Sequence, residues 1–568
     1  MKKTVRHIFI ATLLTAGLTA HAQQLTTHVS GEYADTVVIP ASSRLPFNPE
    51  VPQSTVSGPK YLSYSLQSLS VAVPASFATL EPAAIADTLN TISSRGYARL
   101  GLMSIFNVDA SAGYKVFDTD RTRLSTWMQY DAATYRGQYH KLTGYGERFV
   151  HNHAATFGAT LHQAVGRESF VDAGIDYTFQ RYDVNAPSLS NPFAVDPRKL
   201  GRLNVSGLWT LRHNALDYGA GISYHYLHIS NPLFNVPNEN RIEGVAFFKG
   251  AFAGSSSAGL TANVSYQRYS ALAAGITQLY WQAPMSRSNT LLTLNPYYRL
   301  DLTQLYLDLG ARLDFVFGAG KCFHIAPDVK AVWMPAPIVK LYASLSGGVR
   351  QNTLGRELDA AQYLAPVAGA RPSDIPLELK AGVTIGSYRG LHANLSVAFA
   401  RANNWLMPLQ DASTGYCSFT PLDVKSYMLH LDVGYTYKNI LSAEASIEKA
   451  PKKSRHAYYM WIDRATTVAA AKLSVRPLKP LTLTLGWDFR SGRAVSTVIP
   501  QELPTGAASP VLVNLGSISK LRFSASYAVT RKLTIEGSID NILNRAYMLP
   551  GLMPGQGITG LIGASYQF

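Results

Sequence analysis

The stretch from Leu305 to Phe317 constrains this chain more than any other. Leu305, Leu307, Leu309, Ala311, Leu313, Phe315 and Phe317 alternate with Tyr306, Asp308, Gly310, Arg312, Asp314 and Val316, a strict period of two. Helical periodicity cannot produce that pattern, whereas a strand does so because successive side chains point to opposite faces. The alternation returns from Val171 to Phe179 against Asp172, Gly174, Asp176 and Thr178, and from Leu481 to Phe489 against Thr482, Thr484, Gly486 and Asp488. Near the end, Leu521, Phe523, Ala525, Tyr527 and Val529 alternate with Arg522, Ser524, Ser526 and Ala528.

Strand length separates the candidate architectures. Strands of a soluble sandwich run to about five or six residues, whereas many here reach about ten, enough for a tilted strand to cross a bilayer. Lipid offers the backbone no hydrogen bonds, so a spanning sheet must close on itself, apolar face outward and polar face toward the lumen.

The connections agree. Short turns are expected at Asp118-Thr122, Ala164-Glu168, His213-Ala215, Gly254-Ser256, Asp301-Thr303, Pro335-Ile338, Ser387-Gly390, Lys438-Ile440, Pro477-Pro480 and Thr530-Lys532. Long loops fall between them at 133-149, 183-198, 228-240, 270-287, 353-375, 403-422, 451-463, 492-511 and 541-556, and two outward connections, near Ile105 and at 318-322, are short. Short periplasmic turns alternating with longer extracellular loops predict an all-β fold, a transmembrane antiparallel β-barrel of about 22 strands over residues 95-568.

Composition excludes the alternatives. Only 15% of residues are charged, against about 25% in a soluble domain, and no mature segment is apolar enough for a membrane helix. Lys2, Lys3 and Arg6, the apolar run Ile8 to Leu18 and Ala20-His21-Ala22 read as a signal peptide over 1-22, cleaved before Gln23. Residues 23-94, rich in Pro, Ser and Thr, read as an extended N-terminal segment in the periplasm or inserted into the lumen. The formal charge of +15 is scattered rather than gathered in a stripe, so nucleic acid is not an expected partner. Outer-membrane lipid and lipopolysaccharide are, as is the barrel assembly machinery during biogenesis.

At Ile539 to Tyr547 the chain reads Ile-Asp-Asn-Ile-Leu-Asn-Arg-Ala-Tyr, followed by Pro554-Gly555 and the closing Gly560-Leu-Ile-Gly-Ala-Ser-Tyr566-Gln-Phe568. This resembles the end of TonB-dependent receptors, in which an Asn-Leu-Phe-Asn-x-x-Tyr stretch and a Pro-Gly loop precede the last strand. The resemblance implies an outer-membrane barrel near 22 strands and, at Tyr566 and Phe568, a barrel-assembly signal. That family carries an N-terminal plug of well over a hundred residues, whereas about seventy mature residues precede the barrel here. The likeness is therefore to a plugless barrel, and TonB-driven transport does not carry over residue by residue.

The charges expected to line the lumen are Asp172, Asp176, Arg299, Asp308, Arg312, Asp314, Asp432, Asp488, Arg490, Arg522 and Glu536. His151 and His153 share a strand face but lack a third ligand for a metal. Gly318-Ala319-Gly320-Lys321 lacks the Gly spacing and the Ser or Thr of a phosphate loop. Cys322 and Cys417 both map to extracellular loops, with nothing to fix their separation. No catalytic signature is present, so neither an enzyme nor a cofactor is expected. Two functions remain: a transport barrel gated by loops, by its N-terminal segment or by a partner, or a non-transporting subunit of an outer-membrane assembly, secretion or surface-protein complex. Because a lumen this wide must be blocked, a periplasmic or lipoprotein partner closing it is also expected.

Overall fold

The computed structural model describes residues 94–568 apart from 105–106, 138–147, 186–194, 231–236, 253–254, 271–285, 319, 364–367, 412–416, 451–464, 500–508 and 550–552. The expected signal peptide and the 23-94 segment, its last residue apart, lie outside the described residues.

One antiparallel sheet runs from the strand Gly96–Met103 to the strand Thr559–Gln567 and closes on itself. Of its 24 strands, the hairpin Ala494–Ile499 and Ser509–Asn514 lies in an outward loop and, among the described residues, pairs with the wall only by a two-residue parallel ladder to Leu391–Asp411, which leaves 22 strands in the wall. At the seam Leu100 lies opposite Ala564. There Gly96 N donates to Phe568 O and Phe568 N to Gly96 O, each at 2.9 Å. Closure leaves the sheet no free edge in lipid.

All ten short turns expected from the alternation join consecutive wall strands at the end where the seam termini lie. The turn between Ser373–Tyr388 and Leu391–Asp411 shows why its residues are small and polar. Arg389 (φ 51°) and Gly390 (φ 88°) are both left-handed, the two-residue turn whose twist matches that of the strands. A Cβ on Gly390 would stand 1.9 Å from Thr436 O, so only glycine fits.

One expected loop, 403-422, is largely strand. Leu391–Asp411 and Cys417–Tyr437 have 21 residues each. At ~3.3 Å per residue such a strand is ~70 Å long, over twice the ~30 Å of hydrocarbon it crosses. The outer part of that hairpin lies beyond the hydrocarbon, where lipid imposes no alternation, so its sequence reads as loop. Inside the membrane the pattern is strict: Ile175, Tyr177, Phe179, Leu309, Ile325 and Ile562 are all exposed on the outside of the barrel, as lipid requires.

Candidate functional site in the lumen

On the strand Ser169–Asn185 the face opposite Ile175, Tyr177 and Phe179 carries Asp172, Asp176, Thr178 and Gln180, then continues into Tyr182 and Val184. These last two are 1% and 2% exposed, although they point away from lipid. Neighbouring strands turn apolar on the same face at the same height, through Tyr135, Val150, Leu200, Leu227, Ile229 and Tyr269, all buried. The extracellular part of this lumen wall therefore has a hydrophobic surface to cover.

Two extracellular loops cover it. After the strand Val339–Arg350 the chain turns inward and forms the helix Leu354–Ala360. Thr353 starts it, its side-chain oxygen accepting from Arg356 N at 3.1 Å, which satisfies one orphan donor of the first turn. Leu354 and Leu358, four residues apart on one helical face, are 0% and 4% exposed in the cluster with the wall residues. Tyr363 sets its ring edge-on to Tyr182 at 6.1 Å, and burial keeps its phenol protonated by raising its pKa. From the second loop, beyond Asp540, Met553 joins the same cluster, and Tyr135 OH donates to Pro554 O at 3.0 Å. Each leucine buried this way contributes about 1.5–3 kcal/mol.

Polar contacts fasten the first loop along its course. Ser265 Oγ donates to Gln351 Oε1 at 2.6 Å, and Gln351 Nε2 to Asn289 Oδ1 at 2.9 Å. Asn352 O accepts from Tyr269 OH and from Gln267 Nε2, each at 3.1 Å. The Glu239 carboxylate accepts from Leu354 N at 2.6 Å. Farther on, Asp359 pairs with Arg202 at 2.8 Å, and Arg198 donates to Gln362 O at 2.9 Å. Arg198 and Arg202 lie on Val195–His213, six intervening wall strands away from the strand that launches the loop. The loop thus reaches far over the interior instead of standing up into solvent.

The charges singled out in the sequence form separate pairs around the wall, not one site. Arg299 holds Asp308 at 2.7 Å, with Tyr306 OH donating to the same carboxylate at 3.1 Å. Asp172 meets His162 at 2.6 Å, Asp176 accepts from Asn204 at 2.7 Å, and Asp432 meets His430 at 2.5 Å. Arg522 is bonded to Asp488, and Glu536 to Arg99 at 2.6 Å. Arg490, opposite Val468 and Ile518, makes no ion pair among the described residues. Only Arg312 and Asp314 bond to the end of the strand that launches the loop: Asp314 accepts from Val349 N at 2.6 Å and Arg312 donates to Val349 O at 2.8 Å, two residues before the chain turns inward.

The residues that fasten the loop, among them Glu239, Arg198, Arg202 and Tyr182, escaped the sequence reading. Two signals point to them: strands that lose their polar face near their outer ends, as in Tyr224 to Ile229, and a Thr353 cap followed by Leu354 and Leu358 inside a long loop. His151 and His153 lie on the outer face, where His151 is held by Asp183 at 2.8 Å and His153 meets Tyr130 OH at 3.4 Å. Among the described residues no group of three or more His, Cys, Asp or Glu is placed to hold a metal ion. Cys322 is exposed and free. Gly318 and Gly320, both at positive φ, build the tight turn beside it.

No protein-family model matches the chain, and no curated protein matches it significantly. Solved structures do. The FrpB iron transporter from Neisseria meningitidis superposes with a TM-score of 0.61 at 14% identity, covering 83% of this chain and 81% of that one. The siderophore receptor PirA from Acinetobacter baumannii gives 0.65 at 9% identity over 83% and 80%. The ferripyoverdine receptor of the outer membrane of Pseudomonas aeruginosa gives 0.59 at 12% over 84% and 72%. The fold is that of an outer-membrane receptor barrel. These structures are described as transporters and receptors, and the likeness covers 83–84% of this chain.

Proposed function

We propose that this chain is a receptor-type transport barrel of the outer membrane whose extracellular end is closed by its own loops. The observation that carries the reading is the segment Gln351–Tyr363, folded into the lumen, packed on an apolar wall and tied to it at Glu239, Arg202 and Arg198. A non-transporting scaffold needs no such stopper fitted to its own interior. The role proposed is passage and gating, not catalysis. Residues 23-94 and any periplasmic partner act at the opposite mouth, where the polar ion pairs of the wall are offered.

The test is electrical. Purified full-length protein in planar bilayers is expected to be nearly silent, and replacing 353–363 with a short Gly/Ser linker should open a steady conductance. Deleting 30–90 alone should change little. A barrel that stays silent without 353–363 but conducts once 30–90 is removed would place the closure in the N-terminal segment and refute the loop reading.

A further inference from the structure

The outside of the barrel carries a feature that transport does not use. Arg401 on Leu391–Asp411 lies directly opposite Lys425 on Cys417–Tyr437. On the other side of the barrel Arg181 on Ser169–Asn185 lies directly opposite Lys199 on Val195–His213. All four side chains are exposed, and by the alternation all four share the face of the lipid-exposed Tyr177, Phe179 and Tyr427. Like charges directly opposite one another destabilise a sheet. Among the described residues none of the four makes an ion pair, and the nearest acids on their strands are engaged elsewhere: Asp183 with His151 at 2.8 Å, Asp423 with Asn404 N at 3.0 Å.

Both pairs stand at one height. Arg181 follows Phe179 by two residues and Val171 by ten, and Arg401 follows Phe399 by two and Leu391 by ten. Ten residues at ~3.3 Å, tilted by ~40°, rise ~25 Å, the height of the apolar band of such barrels. Each doublet therefore sits at the upper rim of the band, its two residues directly opposite one another on adjacent strands. Directly below lies an aromatic ledge, made by Phe399 and Tyr427 with ring centroids 5.0 Å apart on one side and by Tyr177 and Phe179 on the other. Arg268, equally placed above Tyr266, faces Asn240 and Ser288 and forms no doublet.

From this arrangement we infer that Arg401 with Lys425, and Arg181 with Lys199, are two binding sites for the phosphate groups of an anionic glycolipid of the outer leaflet. Its acyl chains lie down the aromatic ledges. The cations need a compensating anion, and the apolar surface immediately beneath them selects one that carries hydrocarbon over an acidic protein. The inference rests on the short turns facing the periplasm, and it is independent of whether the barrel transports.

Native mass spectrometry of the full-length protein in mild detergent tests it, with bisphosphorylated lipid A, dephosphorylated lipid A, phosphatidylethanolamine and inorganic phosphate as probes. Wild type should retain two molecules of bisphosphorylated lipid A and bind the dephosphorylated form at least tenfold more weakly. Arg401→Gln with Lys425→Gln should lose one molecule, Arg181→Gln with Lys199→Gln the other, and the quadruple variant both. Lys479→Gln, on a short turn, should bind as wild type. Equal retention by the quadruple variant overturns the inference, as does wild-type binding of dephosphorylated lipid A or phosphatidylethanolamine as strong as that of the bisphosphorylated form. Displacement of lipid A by millimolar inorganic phosphate would show a free-anion site and refute the lipid. The wild-type comparison decides the matter even where a variant fails to fold.

Discussion

Arg99 on the first wall strand reaches Glu536 on the penultimate one, Nε to Oε1 at 2.6 Å, passing over the last strand where Gly563 lies opposite both Glu536 and Gly101. The same guanidinium holds Asp109 on the second strand at 2.8 Å. One side chain thus ties together four consecutive strands around the seam. A Cβ on Gly563 would stand 3.0 Å from Glu536 Oε1 and 2.9 Å from Leu100 O, so the glycine keeps the path open.

The three side chains are at most 7% exposed, and breaking a buried network by removing its cation costs about 3–5 kcal/mol. Arg99→Met should lower the urea midpoint of the refolded protein in lipid vesicles by a corresponding amount. Adding Asp109→Asn and Glu536→Gln to that variant should recover much of the loss, because the stranded charges go with it. An unchanged midpoint for the single variant would mean that the backbone pairing alone holds the seam.

A graded effect is expected at Glu239, whose carboxylate receives Leu354 N. Glu239→Leu strands a buried donor, at about 1–3 kcal/mol, so the docked loop should open roughly tenfold more often, read as the open fraction in single-channel records. Asp359→Asn, at a more exposed pair with Arg202, should have a smaller effect. Identical open fractions in wild type and Glu239→Leu would separate this contact from gating.

Orientation can be read with a native residue. Cys322 is exposed at an outward turn, so in a Cys417→Ser background it should react with an impermeant maleimide on intact cells. In a background lacking both cysteines, Lys479→Cys should not react. Leu354→Cys should also be protected although its loop is extracellular, because Leu354 is 0% exposed. Labelling of Lys479→Cys without labelling of Cys322 would invert the barrel.

The closing residue is a further test. Phe568 exchanges two backbone bonds with Gly96, and its ring lies 6.3 Å from both Tyr114 and Tyr566, all three on the lipid side. Deleting Phe568, or replacing Phe568 and Tyr566 with Ala, should reduce membrane insertion several-fold, measured as the fraction with heat-modifiable migration. Insertion at wild-type level would remove these rings from the assembly signal.

The wall was legible because lipid imposes its rule on each strand separately: Leu309 must be apolar wherever its neighbours lie, and Asp308 beside it must not be. Turns such as that at Gly390 were legible for the same local reason. What fills the lumen was not, because it depends on contacts distant in sequence. Arg202 meets Asp359 across 157 residues, and neither position carries a local signature of the other. The inward Tyr182 and Val184 break the alternation, yet a broken alternation reads equally well as the end of a strand. The long hairpin at Leu391–Asp411 was missed for a related reason, since above the membrane lipid no longer imposes an alternation on its residues.

The inward loop is also a statement about inheritance. Because Gln351–Tyr363 is encoded between two wall strands, the proposed closure gives every barrel one stopper of its own. It cannot be diluted, exchanged between pores or lost by underproduction of a second gene product. On that proposal, adjusting how leaky the pore is requires altering thirteen consecutive codons, while the lipid-facing wall stays as it is.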